Sequence, residues 1–129
     1  MRLTVSQVTK TSEQLELDLN KICQNSPFDA QQFLAQLSDG KLFCSTFNDR
    51  HIAALAIDSR GRLTAIAVGE PNRRRGVGSD LITQASQLLS GELEQLCVET
   101  PVSAELVPWL AQAGFVQAGS LWCKRITGL

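Results

Sequence analysis

Tyrosine is absent from this sequence, and histidine occurs once, as His51. No phenol is therefore available as a proton donor, and no cluster of imidazoles can hold a metal. The four cysteines, Cys23, Cys44, Cys97 and Cys123, are scattered and form no CxxC pair, so zinc is not expected either. No apolar run approaches the length of a membrane span. The segment Met1–Val8 alternates polar and apolar residues as a strand does, and it lacks the apolar centre of a secretory signal. An excess of positive charge is missing too: the net charge is -1, whereas a nucleic-acid binder usually carries a large positive surplus. These absences point to a cytoplasmic protein with reduced, mostly buried thiols, no metal, no nucleic-acid partner and no membrane partner.

What is present suits a globular chain. A hydrophobic share of 43% with 19% charged residues over 129 positions fits one domain, residues 1–129, whose core needs no disulfide or metal staple.

The periodicity divides the chain into elements. Leu3 to Val8 reads as a strand. Thr11 or Ser12 offers an N-cap for a helix with Leu15, Leu19 and Ile22 on one face, broken by Asn25-Ser26-Pro27. A second short helix carries Ala30, Phe33, Leu34 and Leu37 and stops at Asp39-Gly40. The period then changes to two. Lys41–Phe47, His51–Asp58 and Arg62–Val68 read as an antiparallel meander, with turns at Asn48-Asp49-Arg50 and Ser59-Arg60-Gly61. Leu81, Ile82, Ala85, Leu88 and Leu89 mark an amphipathic helix that Gly91 ends. A strand at Gln95–Glu99, a helix at Ala104–Ala113 and a closing pair, Phe115–Gln117 with Leu121–Arg125, complete the order. We expect one mixed sheet with helices on both faces.

The strongest local signal lies between the third strand of the meander and the helix after it, at Arg73-Arg74-Arg75-Gly76-Val77-Gly78-Ser79. The first amides of a helix lack internal partners and point along its axis, so they can donate to an anion. Gly76 and Gly78 remove side chains that would hold a phosphate away, and glycine tolerates positive φ. The arginines concentrate positive charge, each charge-assisted hydrogen bond being worth about 1.5–3 kcal/mol when well formed. Ser79 can add a hydroxyl. The loop is neither a Walker loop nor a GxGxxG fingerprint, because Leu81 stands where the third glycine would be. On these residues alone, a basic surface turn remains an equal reading.

Arg73-x-x-Gly76-x-Gly78 is similar to the R/Q-x-x-G-x-G/A motif of the GNAT acyltransferase superfamily, and Val68 stands where those proteins have a valine closing the preceding strand. Val107-Pro108-Trp109-Leu110-Ala111-Gln112-Ala113-Gly114-Phe115 resembles their second motif, a helix running into Gly-Phe. The resemblance implies an α/β (α+β) GNAT fold, with a mixed, mostly antiparallel central sheet of about six to seven strands and about four flanking helices. It further implies acetyl-CoA as cofactor. The pantetheine arm would lie on the backbone of Ile66, Ala67 and Val68, and the pyrophosphate on Asn72, Arg73, Arg74, Arg75, Gly76, Val77, Gly78 and Ser79.

Acetyl transfer to an amine needs a base, and usually an acid for the leaving thiolate. The carboxylate that the superfamily places on the strand before the loop is missing from Leu63-Thr64-Ala65-Ile66-Ala67. Leu110 occupies the position of its tyrosine. Glu70, Asp58, Glu99 or His51 could act through water, but each reads first as a turn or solvated residue; Cys123 could protonate a thiolate, with nothing else in the sequence to support it. No catalytic residue is assigned. One branch of the superfamily matches this lack. Asp18-Leu19-Asn20-Lys21-Ile22, Phe47-Asn48-Asp49-Arg50 and Asn72-Arg73-Arg74-Arg75-Gly76-Val77-Gly78 resemble the PanZ-type maturation factors of bacterial aspartate 1-decarboxylase. A tryptophan-rich segment of that family is replaced here by Leu96-Cys97-Val98-Glu99-Thr100. The resemblance implies an acetyl-CoA sensor that binds the decarboxylase precursor and mature enzyme, promotes its self-cleavage and controls pantothenate and CoA synthesis. Asn48 and Arg73 would face that partner. The alternative is a conventional GNAT N-acetyltransferase acting on an amine of a small molecule or protein.

Overall fold

The computed structural model describes residues 3–24, 28–70, 76–92, 95–99 and 106–126. In order, the elements are β1 (Thr4–Val8), α1 (Glu13–Ile22), α2 (Ala30–Leu34), α3 (Gln36–Asp39), β2 (Lys41–Phe47), β3 (Arg50–Ile57), β4 (Leu63–Val68), α4 (Val77–Leu89), β5 (Gln95–Glu99), α5 (Leu106–Gln112), β6 (Val116–Ala118) and β7 (Leu121–Arg125). The expected break at Asn25-Ser26-Pro27 and the first residues of the expected helix from Ala104 lie outside the described residues. No helix among the described residues is long and apolar enough to cross a membrane.

Local chemistry accounts for most boundaries. Ser12 caps α1, its Oγ accepting from the Leu15 amide at 3.1 Å. Asp29 and Gln32 form a reciprocal capping box at the start of α2. The single helix expected here is two pieces, α2 and α3, meeting at Ala35, which keeps helical angles. Gly40 ends α3 because the chain there runs against β3: a Cβ on Gly40 would stand 2.0 Å from the Ile57 carbonyl oxygen. At the end of α5, the Phe115 amide bonds to the Leu110 carbonyl and the Gly114 amide to that of Ala111. Gly114 has φ +97°, so this is a Schellman ending. It takes Phe115 out of the strand expected to begin there; its ring is buried and β6 starts at Val116.

The seven strands form two sheets rather than one. The first runs β1-β2-β3-β4 and the second β5-β7-β6, with every strand pair antiparallel. Among the described residues, the parallel element is a lone bridge, Arg62 with Cys97, joining the two. Alternation along β3 and β4 builds a core on each face. Leu55, Ile57, Leu63, Ile66 and Val68 pack with Leu81, Ile82, Ala85 and Leu89 of α4 and with Leu110 and Phe115. On the opposite face, Ala54, Ala56, Ala65 and Ala67 lie with Leu15, Leu19 and Ile22 of α1 and Phe33 of α2. The alanines let α1 sit close to the sheet.

Candidate functional site

The two ends of the first sheet differ in character. At one end, a pocket of about 210 Å³ is lined by Asp39, Gly40, Lys41, Ile57, Asp58, Ser59 and Gly61. The opposite end carries the tip of the β2–β3 hairpin and the exit of β4, tied together by a 2.8 Å bond from the Gly69 amide to the Ile52 carbonyl. That second end holds most of the residues singled out from the sequence.

At the hairpin tip, Asn48 and Asp49 have φ of +51° and +64°. These are the left-handed angles of a type I′ turn, which Asn and Asp tolerate better than most residues and which matches the twist of the flanking strands. The turn is thus two residues long, and Arg50 belongs to β3. Beneath it, Asp18 of α1 is buried, at 2% exposure. Its carboxylate accepts from Arg50 Nε at 3.0 Å and a terminal guanidinium nitrogen at 2.8 Å, from the His51 amide at 3.1 Å and from Gln14 Nε2 at 2.8 Å. His51 Nδ1 lies 2.7 Å from Asp18 Oδ2, which assigns a proton to Nδ1. Burial by itself pushes the Asp18 carboxyl up, but the bonds from Arg50, His51 and Gln14 outweigh it and hold the group at about 2. The network joins two of the segments noted in the sequence, Asp18–Ile22 and Phe47–Arg50. It was not foreseen as a unit. Its signal is a carboxylate between Leu15 and Ile22 on the apolar stripe of α1, where an unpaired charge would be costly.

The β4 exit leads to the glycine loop. Asn72, Arg73, Arg74 and Arg75 lie outside the described residues. Gly76 has φ +77°, and a Cβ built on it meets nothing within 4 Å, so the position needs glycine for its backbone angle and faces open space. Gly76 stands at the N-cap of α4 and offers no capping side chain. Ser79 directs its hydroxyl to the Gly76 carbonyl at 3.2 Å. Gly78 lies within the helix and is buried, without the positive φ of Gly76. Val77, Ile66, Ala67 and Val68 point their side chains into the two cores, leaving their backbone as the means of touching a ligand.

Alongside β4, the ladder to β5 stops after the Arg62–Cys97 bridge among the described residues. The first amides at the start of α4 could receive an anionic group. The candidate bases fare differently. Asp58 Oδ1 accepts from the amides of Arg60 and Arg62 and holds the β3–β4 turn. His51 is engaged by Asp18, and Glu70 is exposed just before the loop. Leu110, at the tyrosine position of the superfamily, is fully buried. Cys123 of β7 is half-buried and stands opposite Cys97.

This architecture is the GNAT acyltransferase fold. The structure superposes on the ribosomal-protein-S18-alanine N-acetyltransferase of Escherichia coli with a TM-score of 0.77, at 18% identity, covering 99% of this chain and 96% of that one. The solution structure of E. coli YhhK bound to coenzyme A matches with a TM-score of 0.71 and 25% identity, covering 97% and 99% of the two chains. Within that class the assignment narrows. Residues 2–125 match the family model described as acetyltransferase (GNAT) domain, PanZ, and the chain belongs to that family. It is also 32% identical over 87 residues to the PanD regulatory factor of E. coli strain K12. That match covers 65% of this chain and 66% of the relative's length.

Proposed function

We propose that the chain is one acetyl-CoA-binding domain that regulates aspartate 1-decarboxylase in the cytoplasm, promoting its maturation and adjusting pantothenate and CoA synthesis. The observation that carries the proposal is the match to the PanZ family over residues 2–125, supported by the relative named as a PanD regulatory factor. The described part of the cleft suits the cofactor. It has a thirteen-residue helix whose N-cap has no capping side chain, and a Cβ on Gly76 would meet nothing within 4 Å. In this reading the backbone of Ile66, Ala67 and Val68 lines the pantetheine arm. The amides of Gly76, Val77, Gly78 and Ser79, with Asn72, Arg73, Arg74 and Arg75, hold the pyrophosphate. When bound, the cofactor supplies a charged, acetyl-tipped surface at the end of the sheet that also carries Asn48. The partner would read occupancy through Asn48 and Arg73, as differential binding of two states.

The test mixes purified protein with aspartate decarboxylase precursor, with and without acetyl-CoA. Size exclusion follows association and mass spectrometry follows chain cleavage. Association that depends on acetyl-CoA supports the sensor. If none occurs under either condition while acetyl-CoA binds, the regulatory reading falls and turnover with amine acceptors becomes the question.

A further inference from the structure

Cys97 of β5 and Cys123 of β7 face each other directly across their antiparallel pair. Opposed residues of such a pair project to the same face, with Cα atoms about 4.5–5.5 Å apart. A disulfide spans Cα separations of about 4.4–6.8 Å, and the separation of directly opposed residues falls within that range. Both residues are free thiols in the structure, on strands whose pairing runs unbroken through them. Their surroundings differ: Cys97 is buried at 7% exposure, while Cys123 is half-buried and reachable from solvent. The remaining two cysteines sit elsewhere, Cys44 within the core beneath α1 and Cys23 packed against it.

We propose that Cys97 and Cys123 are a dithiol site for low-molecular-weight disulfides, exchanging with them to form a cross-strand disulfide in the folded protein. Cys123 acts first. As a thiolate it attacks one sulfur of the small disulfide, whose S–S bond breaks, and the released thiolate takes up the proton that Cys123 gave to solvent. Cys97 then loses its proton and attacks the Cys123 sulfur, expelling the second small thiolate, which is protonated in turn. Two cysteines are oxidised, one small disulfide is reduced to two thiols, and both protein protons end on those thiols. Burial and the neighbouring Cys123 push the Cys97 thiol up to about 11, partly offset by Arg62 beside it. Cys97 is the less exposed of the two, which suits it to the second step, in which its target sulfur is on the residue opposite. The cross-link would form at the Arg62–Cys97 bridge that joins the two sheets.

The experiment uses the full chain under native conditions, oxidised glutathione as probe, and alkylation of remaining thiols before mass spectrometry. Circular dichroism confirms that the chain stays folded. The expected product has lost two hydrogens and retains two alkylatable cysteines of four. Cys97 and Cys123 lie on one tryptic peptide, because no Lys or Arg stands between Gly76 and Lys124. Cleavage at Glu99 and Glu105 separates them, and the linked pair should then be recovered. Cys97→Ser should stop at a stable glutathione adduct on Cys123, and Cys123→Ser should react at least about tenfold more slowly at position 97. A lasting adduct on Cys123 of the unmutated chain, with Cys97 still alkylatable, overturns the pairing. So does a linkage through Cys23 or Cys44, or no reaction at either thiol.

Discussion

Replacing Asp18 by asparagine removes the charge at the centre of the hairpin anchor while keeping its shape. Asparagine resembles the protonated acid, so the cost of the substitution follows from how strongly the fold prefers the ionised form. The Asp18 carboxyl lies at about 2 in the folded chain against an ordinary 3.8. At about 1.4 kcal/mol for each pKa unit, this preference is worth about 2 kcal/mol. The side chain is 1% exposed, so solvent screening removes little of it; Arg50, at 49%, regains water when its partner is lost. Because the folded value is depressed, the contribution is present in full above the unfolded pKa and disappears as pH falls through the folded one. It should be about 2 kcal/mol at neutral pH, about 1 kcal/mol near pH 3, and gone near pH 1. Urea unfolding of both proteins at neutral pH and near pH 3 measures this. Asp18→Asn should be less stable by about 2 kcal/mol at neutral pH, with the gap narrowing by about half in acid. Equal stabilities at neutral pH, or a gap that does not change with pH, would refute the anchoring role of the charge.

Three further outcomes are expected. Gly76→Val forces a β-branched residue to φ +77° and should cost about 1–2 kcal/mol in unfolding assays. It should also weaken acetyl-CoA binding at least about tenfold by calorimetry, because its side chain fills the space by the first amides of α4; normal binding by the folded variant would move the pyrophosphate elsewhere. Asn48→Gly keeps the left-handed angle while deleting the side chain, so it should weaken decarboxylase binding without changing acetyl-CoA affinity. Asn48→Ala would confound that result with backbone strain of about 1–2 kcal/mol. Gly40→Ala pushes a methyl group against the Ile57 carbonyl and should destabilise by about 1–3 kcal/mol; a melting temperature equal to that of the parent would show that the α3–β3 approach is not tight.

The order of elements is legible in the sequence because each has its own signal. Period two marks Lys41–Phe47 and its neighbours, Leu81 and Leu89 frame a helical stripe, and Ser12 offers an N-cap that the fold uses, whereas the Asp29 capping box emerges only in the structure. The division into two sheets is not legible, since the alternation in Leu63–Val68 and Gln95–Glu99 fixes faces and not neighbours. The need for glycine at position 76 can be read from its place between strand and helix, and the chain there has φ +77°. The role of Asp18 cannot be read in full, because its partners Arg50 and His51 come 32 and 33 positions later. The Cys97–Cys123 register escapes for the same reason: a pair 26 residues apart is placed by how β7 returns between β5 and β6.

The geometry also constrains how a sensor of the proposed kind would work. The hairpin tip is fixed by its type I′ turn and by a buried carboxylate on α1, and the bond from Gly69 to Ile52 ties β4 to the same strand. Asn48 is therefore expected to sit on a base held by contacts within the chain itself, one whose shape the cofactor does not set. On the proposed function, acetyl-CoA must act through the glycine loop and its arginines, where its phosphates change the charge, rather than by moving the hairpin. The two sites then contribute separately to partner affinity. Asp18→Asn, which loosens the tip, should lower decarboxylase affinity by the same factor with and without acetyl-CoA. Gly76→Val should leave the affinity without acetyl-CoA unchanged and erase the increase that acetyl-CoA brings. Calorimetric titrations of both variants in the two states measure these factors. If Asp18→Asn instead abolished the acetyl-CoA-dependent increment alone, the hairpin would be a moving part of the switch and the rigid-base argument would fail.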